Sequence, residues 1–124
     1  MTFTQSIATC FSKYATFSGR ASRSEFWWFY LFTILMQWAA DVVGVLTLGG
    51  AGSEGALIFD GIVSLAFALP SLACSARRLH DIGRSGWWIL LALTIIGIFL
   101  LIFWWAKEGD NNENSYGSLD IIEN

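Results

Sequence analysis

The sequence has little charge, a single proline and histidine, and two cysteines. Charged residues make up 14% of the chain, well below the roughly 25% of a typical soluble domain. Cys10 and Cys74 lie far apart and form no CxxC or Cys/His cluster, so we predict neither a disulfide framework nor a zinc site. His80 has no second ligand at a suitable spacing, and we expect no metal and no cofactor.

Sequence motifs of several common enzyme classes are also missing. The chain contains no nucleophile elbow, no P-loop and no HExxH, motifs whose residues supply a nucleophile, a phosphate cradle or a catalytic zinc site. The basic residues flank apolar segments rather than forming a separate basic surface, so we expect no nucleic-acid partner. We therefore predict a protein that is not an enzyme.

What the chain has in abundance is long apolar runs. They cover Phe26–Leu46, Ala56–Ala76 and Trp87–Trp105, with 21, 21 and 19 residues. As helices they would each reach about 30 Å, the thickness of the hydrocarbon core of a bilayer. The fold class predicted is all-α, a polytopic membrane protein with three transmembrane helices in a single domain over residues 1–124.

The segments outside the runs have simpler patterns. Phe3, Ile7, Phe11 and Tyr14 recur at helical spacing, which predicts a short amphipathic N-terminal helix on the membrane surface, or a frayed terminus. Residues 106–124 are predicted to form a polar tail.

The basic residues suggest an orientation. Of the seven Lys and Arg residues, only Lys107 follows the third run; the others precede the first run or lie between the second and third. Because cytoplasmic loops of membrane proteins are enriched in Lys and Arg, we predict a cytoplasmic N-terminus and Arg-rich turn. Three crossings would then leave the C-terminal tail outside.

Several motifs resemble a known family. The chain resembles the bacterial inner-membrane family catalogued as domain of unknown function 805, most specifically in an Arg-Arg-Leu-His-Asp turn before a Trp pair. The matching residues are 14–27, 70–73, 77–88, 107–110, 113–114 and 116–117. The resemblance implies a multi-pass protein of the bacterial inner (plasma) membrane and brings no assigned activity, cofactor or substrate.

One candidate site is a basic cluster at the predicted cytoplasmic face. Guanidinium groups bind phosphate in a bidentate manner, and lipid headgroups supply phosphate at this depth. The simpler alternative is that these charges only set the orientation of the protein in the membrane and form ion pairs within the chain. Examples of such pairs are Arg23 or Arg84 with Asp81 or Glu25. The cluster consists of Arg20, Arg23, Arg77, Arg78, His80, Asp81 and Arg84.

A second candidate is a pair of acidic residues within the apolar runs. Asp41 and Asp60 are nearly equidistant from the centre of the Gly-rich connector, so an antiparallel hairpin would put them at one depth. They would share a proton, hold an ion, or border water, and helix rotation decides whether they meet. The acidic Asp110–Asn114 segment lacks the glycine and the final acid of a calcium loop and is interpreted as a solvated turn.

Two functional hypotheses remain. The preferred one is a non-catalytic protein that uses the Arg cluster to bind anionic membrane lipids or a partner membrane protein, or that self-associates. The alternative is transport of protons or small ions by a homo-oligomer, along a path containing Asp41 and Asp60.

Overall fold

The computed structural model describes residues 2–110, 114, 116 and 117, and all regular elements in this part of the chain are helical. The all-helical class is therefore confirmed. The predicted tail is described only in part, and most of the Asp110–Asn114 turn lies outside the described residues. In chain order the elements are α1 (Phe3–Ser12), α2 (Arg23–Thr47), α3 (Glu54–Asp81), a 3₁₀ segment (Gly86–Leu93) and α4 (Ile95–Ala106).

The two long helices α2 and α3 form an antiparallel hairpin that can cross a membrane. Their 25 and 28 residues have window hydropathies of 1.6 and 1.9. Only 17% of each window is buried inside the fold, whereas the core helix of a soluble protein would be mostly covered. The helices approach closely where a Cβ on Gly44 would lie 3.1 Å from that of Ala56. The first two predicted spans are thus confirmed.

The amphipathic helix α1 packs across this hairpin. Thr2 caps its N-terminus and forms a reciprocal capping box with Gln5, which satisfies two backbone donors at once. Aromatic rings dominate the contact: Phe11 lies against Phe29 at 5.7 Å and against Phe67 at 6.0 Å between centroids. The predicted N-terminal helix therefore packs on the two long helices.

The α1 contact also buries both cysteines. Cys10 of α1 and Cys74 of α3 belong to one buried cluster, although their distance in sequence gave no reason to expect this. Both are free thiols, as predicted.

The third apolar run differs from its prediction, because it is divided instead of forming one helix over Trp87–Trp105. It forms the 3₁₀ segment and then the 12-residue α4. Trp88 and Trp104 would lie about 24 Å apart in one continuous helix, yet their ring centroids are 5.6 Å apart. The two arms fold back on each other, so tryptophans from the two ends of the run lie side by side.

A threonine and a glycine produce this reversal. Thr94 has extended backbone, and its hydroxyl both donates to the Leu91 carbonyl and accepts from the Gly97 amide, at 3.0 Å in each case. A Cβ on Gly97 would lie 2.1 Å from the Leu91 carbonyl oxygen, so only glycine fits this turn. A hydropathy profile averages over neighbouring residues, so it shows neither the need for the Thr94 hydroxyl nor the need for glycine at position 97.

The dimensions of the reversed segment suit half a bilayer. The 3₁₀ arm is about 16 Å long and α4 about 18 Å, against a hydrocarbon core of about 30 Å. The side chains at its tip are large, apolar and highly exposed, with Leu93 and Ile96 at 86% and 84%. We call residues 86–106 the hairpin segment; neither of its arms is long enough to cross the hydrocarbon core alone.

Candidate functional site

Three arginines of the predicted basic cluster are buried where α3 ends. Arg20 is 2% exposed, and Arg77 and Arg78 are fully buried. The last turn of α3 carries Arg77 and Arg78, while Arg20 lies in the chain just before α2. Burial of an ionised side chain is unfavourable unless the charge is paired, so the partners of these arginines decide what the cluster does.

Glu25 pairs with Arg77. The Arg77 Nη1 donates to both carboxylate oxygens of Glu25, at 2.9 and 3.0 Å. The Ser22 hydroxyl accepts from the Glu25 amide and caps α2, while the Glu25 carboxylate binds Arg77. Among the described residues, Nε and Nη2 of Arg77 have no hydrogen-bonding partner, so the guanidinium depends heavily on this one carboxylate.

Asp81 joins the other two arginines. Its carboxylate accepts from Arg20 Nε at 2.9 Å and from Arg78 Nη1 at 2.5 Å. Its backbone carbonyl accepts from the Asp110 amide at 2.7 Å. Asp81 thereby links the chain before α2, the end of α3 and the residues after α4.

Arg78 holds the end of α4. Its Nε donates to the Trp105 carbonyl at 3.0 Å, and its Nη2 donates to the carbonyl of Lys107. These carbonyls belong to the last turn of α4, where unpaired acceptors and the helix dipole favour a cation. Arg20 adds a bond to the Asp110 carbonyl at 2.7 Å.

The described residues after α4 therefore lie at the same end of the molecule as the N-terminal segment. The sequence had predicted that the tail would lie on the opposite side of the membrane from the N-terminus. That arrangement required one continuous third helix, whereas the chain reverses at Thr94. Lys107 consequently joins the other basic residues at this end.

His80 is fixed by two contacts. Its Nδ1 lies 2.9 Å from the Gly19 carbonyl oxygen, and its ring stacks on that of Tyr116 with centroids 4.1 Å apart. Asn114 donates to the backbone carbonyl of the same residue at 3.0 Å. Tyr116 and Asn114 were not predicted as partners, because nothing in the spacing indicates that the tail returns.

The remaining two arginines of the cluster are not in the buried network. Arg23 is exposed at the first turn of α2, and Arg84 is partly buried with its guanidinium carbon 4.1 Å from the centroid of the Trp104 ring. The sequence had offered these two as the internal partners of Asp81 and Glu25, and the structure gives that role to Arg20, Arg77 and Arg78. The acidic partners were identified correctly and the basic ones were not.

The acidic pair lies at the opposite end of the α2–α3 hairpin. The side chains of Asp41 and Asp60 lie near enough to each other to interact electrostatically, on facing sides of α2 and α3. The Gln37 amide also donates to Asp60, and Ser64 donates to the Gln37 carbonyl oxygen at 3.2 Å. Gln37 was missed, although it precedes Asp41 by one helical turn and so shares its face.

Comparison with known sequences identifies the family. Residues 14–118 match the family described as "Protein of unknown function (DUF805)". The chain belongs to this family. The ion-paired residues Arg20, Glu25, Arg77, Arg78 and Asp81 all lie inside the matched range.

The curated relatives come from Escherichia coli, and two of the three are inner membrane proteins. The inner membrane protein YhaH of strain K12 is 38% identical over 106 residues, covering 84% of this chain and 86% of the relative. The inner membrane protein YhaI is 37% identical over 106 residues, with 85% and 86% covered. The uncharacterized protein YiiR is 35% identical over 134 residues, with 82% and 84% covered. No solved structure matches the chain.

These relatives and the two spanning helices make the chain an integral inner-membrane protein, and nothing in the family indicates catalysis.

Proposed function

We propose that the protein is non-catalytic and binds anionic membrane lipid at the end of the bundle where its basic residues gather. The buried arginines are already bound to carboxylates and carbonyls, so they shape this end and do not supply the binding groups. That role falls to the three cations outside the buried network, Arg23, Arg84 and Lys107. We call these three residues the peripheral cations.

The main observation in favour of this proposal is the concentration of positive charge at one end of the bundle. Six of the seven Lys and Arg residues of the chain lie there: Arg20, Arg23, Arg77, Arg78, Arg84 and Lys107. Among the described residues, the carboxylates at this end are Glu25, Asp81, Glu108 and Asp110, which leaves two positive charges in excess. Cytoplasmic loops are enriched in Lys and Arg, so the same observation supports a cytoplasmic location for this end, with both the N-terminal segment and residues 107–110.

The magnitude expected is modest for each residue. A cation near an anionic membrane surface contributes on the order of 1 kcal/mol. Three peripheral cations therefore amount to about 3 kcal/mol, or a preference of roughly 100-fold for anionic over zwitterionic lipid. The preference should weaken as salt is raised, because exposed charges are screened.

Native mass spectrometry of the purified protein with added lipid tests this proposal. We expect phosphatidylglycerol to be retained far better than phosphatidylcholine, and we expect the variant R23Q/R84Q/K107Q to lose most of that preference. The charge-conserving variant R23K/R84K/K107R is the matched control and should keep it. If the neutralised variant retains the wild-type preference, the proposal is wrong; recovery of a defined protein partner in place of lipid would point to assembly instead.

A second candidate is ion or proton transport, which the proximity of Asp41 and Asp60 favours. Two neighbouring carboxylates stabilise a shared proton or a bound cation, because their like charges repel when both are ionised. An oligomer would have to supply the rest of the path. Flux of protons or sodium into proteoliposomes, abolished in D41N/D60N and retained in the exposed control E54Q, would support transport. Equal flux in protein-containing and protein-free vesicles would reject it.

A further inference from the structure

A cleft of about 490 Å³ opens beside the buried arginines, between the end of α3, the 3₁₀ segment and the chain before α2. Its walls are mostly apolar and include Phe17, Leu72, Trp87 and Leu90. Two polar side chains, His80 and Ser85, also line it. The volume lies within the range of roughly 300–1,000 Å³ that is usual for small-molecule sites.

His80 presents one unused hydrogen-bonding atom to this cleft. The side chain is nine-tenths buried, with 9% of the residue exposed. A carbonyl oxygen can only accept, so the 2.9 Å contact with Gly19 requires the hydrogen on Nδ1 and leaves Nε2 of the neutral ring as an acceptor. Among the described residues Nε2 has no partner, and it lies 3.5 Å from the position of a Cβ on Gly86, which also lines the cleft. Glycine at this position keeps the acceptor open.

The surroundings of the cleft indicate that its occupant comes from the bilayer. Trp87 and Leu90 on its rim are 79% and 59% exposed, and in a membrane such side chains contact acyl chains. The polar end of the cleft lies close to the start of α2 and the end of α4, where tryptophans such as Trp104 suit the headgroup level. An acyl chain therefore fits the apolar walls, and its headgroup would lie near His80 and Arg84.

The chemistry at the polar end selects the headgroup. A free acceptor on His80 requires a donor on the ligand, either a hydroxyl or an ammonium group. Arg84, which directly precedes Ser85 of the cleft, and the excess of two positive charges at this end disfavour an ammonium and favour a lipid with negative charge. A phospholipid with an anionic phosphate and a hydroxyl-bearing headgroup meets both requirements.

We propose that this cleft binds one acyl chain of an anionic phospholipid whose headgroup carries a hydroxyl, and that this hydroxyl donates a hydrogen bond to His80 Nε2. The proposal rests on the proposed function, because it names the lipid class that the basic end would prefer. Phosphatidylglycerol has this chemistry. Phosphatidylmethanol carries the same charge without the hydroxyl and is therefore the matched probe.

Competitive native mass spectrometry with these two lipids and phosphatidylcholine provides the test. One hydrogen bond should give the wild type about a two- to tenfold preference for phosphatidylglycerol over phosphatidylmethanol. H80F, which keeps a ring for the Tyr116 stack but lacks Nε2, should bring this ratio to one. L90W should reduce it by filling the cleft, whereas L93W, which adds the same ring at the exposed hairpin tip, should leave it unchanged.

The outcomes separate this inference from the proposed function. Equal retention of phosphatidylglycerol and phosphatidylmethanol, with both above phosphatidylcholine, would overturn the His80 site and leave the peripheral cations as the lipid-binding groups. Retention of all three lipids alike would overturn both proposals. If H80F does not fold, L90W still provides a test. An unchanged ratio of phosphatidylglycerol to phosphatidylmethanol in L90W would by itself contradict lipid binding in the cleft.

Discussion

Removing the carboxylate of Glu25 should destabilise the protein more than removing any exposed acid. Glu25 and Arg77 are both buried, and Glu25 is the only described hydrogen-bonding partner of the Arg77 guanidinium. Loss of one partner of a buried ion pair typically costs about 3–5 kcal/mol, because the other charge is left uncompensated. For a chain of this size that corresponds to a fall in melting temperature of about 10–20 °C for E25Q.

The two native cysteines provide the assay. Cys10 and Cys74 are at most 1% exposed, so a thiol-reactive fluorescent maleimide should label the detergent-solubilised protein only as it unfolds. E54Q is the matched control, because Glu54 is exposed in the first turn of α3 and should cost no more than about 1 kcal/mol.

A double variant separates the loss of the pair from the loss of the side chain. E25Q/R77M replaces both charges and should be more stable than E25Q, since no unpaired cation remains. The reasoning is refuted if E25Q melts within about 2 °C of E54Q, or if the double variant is no more stable than E25Q.

Three further predictions concern the shape of the bundle. G97A should destabilise the hairpin segment and expose it to protease, because its Cβ would collide with the Leu91 carbonyl oxygen; unchanged proteolysis would contradict the turn. Reporter fusions after Asp110 and at the N-terminus should show the same side of the membrane, and opposite sides would show that the hairpin segment crosses. G44L should separate α2 from α3 and lower the melting temperature by several degrees, since a Cβ at Gly44 is already 3.1 Å from that of Ala56; a melting temperature equal to wild type would argue against the close approach.

The parts of the fold that hydropathy controls were predictable from the sequence. Two apolar runs joined by a short Gly-rich connector must form an antiparallel hairpin, and symmetry about that connector placed Asp41 and Asp60 at one depth. The structure adds that they lie on facing sides of the two helices, which depends on helix rotation and hence on close packing such as that between Gly44 and Ala56. Helix rotation depends on the detailed shapes of the packed side chains. The mean hydropathy of a run carries no information about those shapes.

The course of the third run was not predictable in the same way. Counting apolar residues treats Thr94 and Gly97 as small interruptions, whereas one hydroxyl and one missing Cβ together reverse the chain. The predicted location of the tail depends on the same run, since each crossing inverts the predicted side. The choice of buried arginines was likewise hidden, because Arg84 is three residues from Asp81 in the sequence and Arg20 is 61 residues away, yet the fold brings Arg20 to Asp81.

Most side chains of the motif that most clearly indicates the family stabilise the helical bundle. Within Arg77–Asp81, Arg77 binds Glu25 at the start of α2, Arg78 binds the carbonyls at the end of α4, and Asp81 binds Arg20 and the Asp110 amide. Each bond joins the end of α3 to a different segment, so substitution of these residues would change lipid binding, if at all, through loss of structure. Tests of function should therefore avoid them and use the peripheral cations and the Nε2 atom of His80, which face outward or into the cleft. Mutagenesis aimed only at the Arg77–Asp81 motif would mainly change residues that stabilise the bundle. It would miss the peripheral cations, which we propose bind lipid.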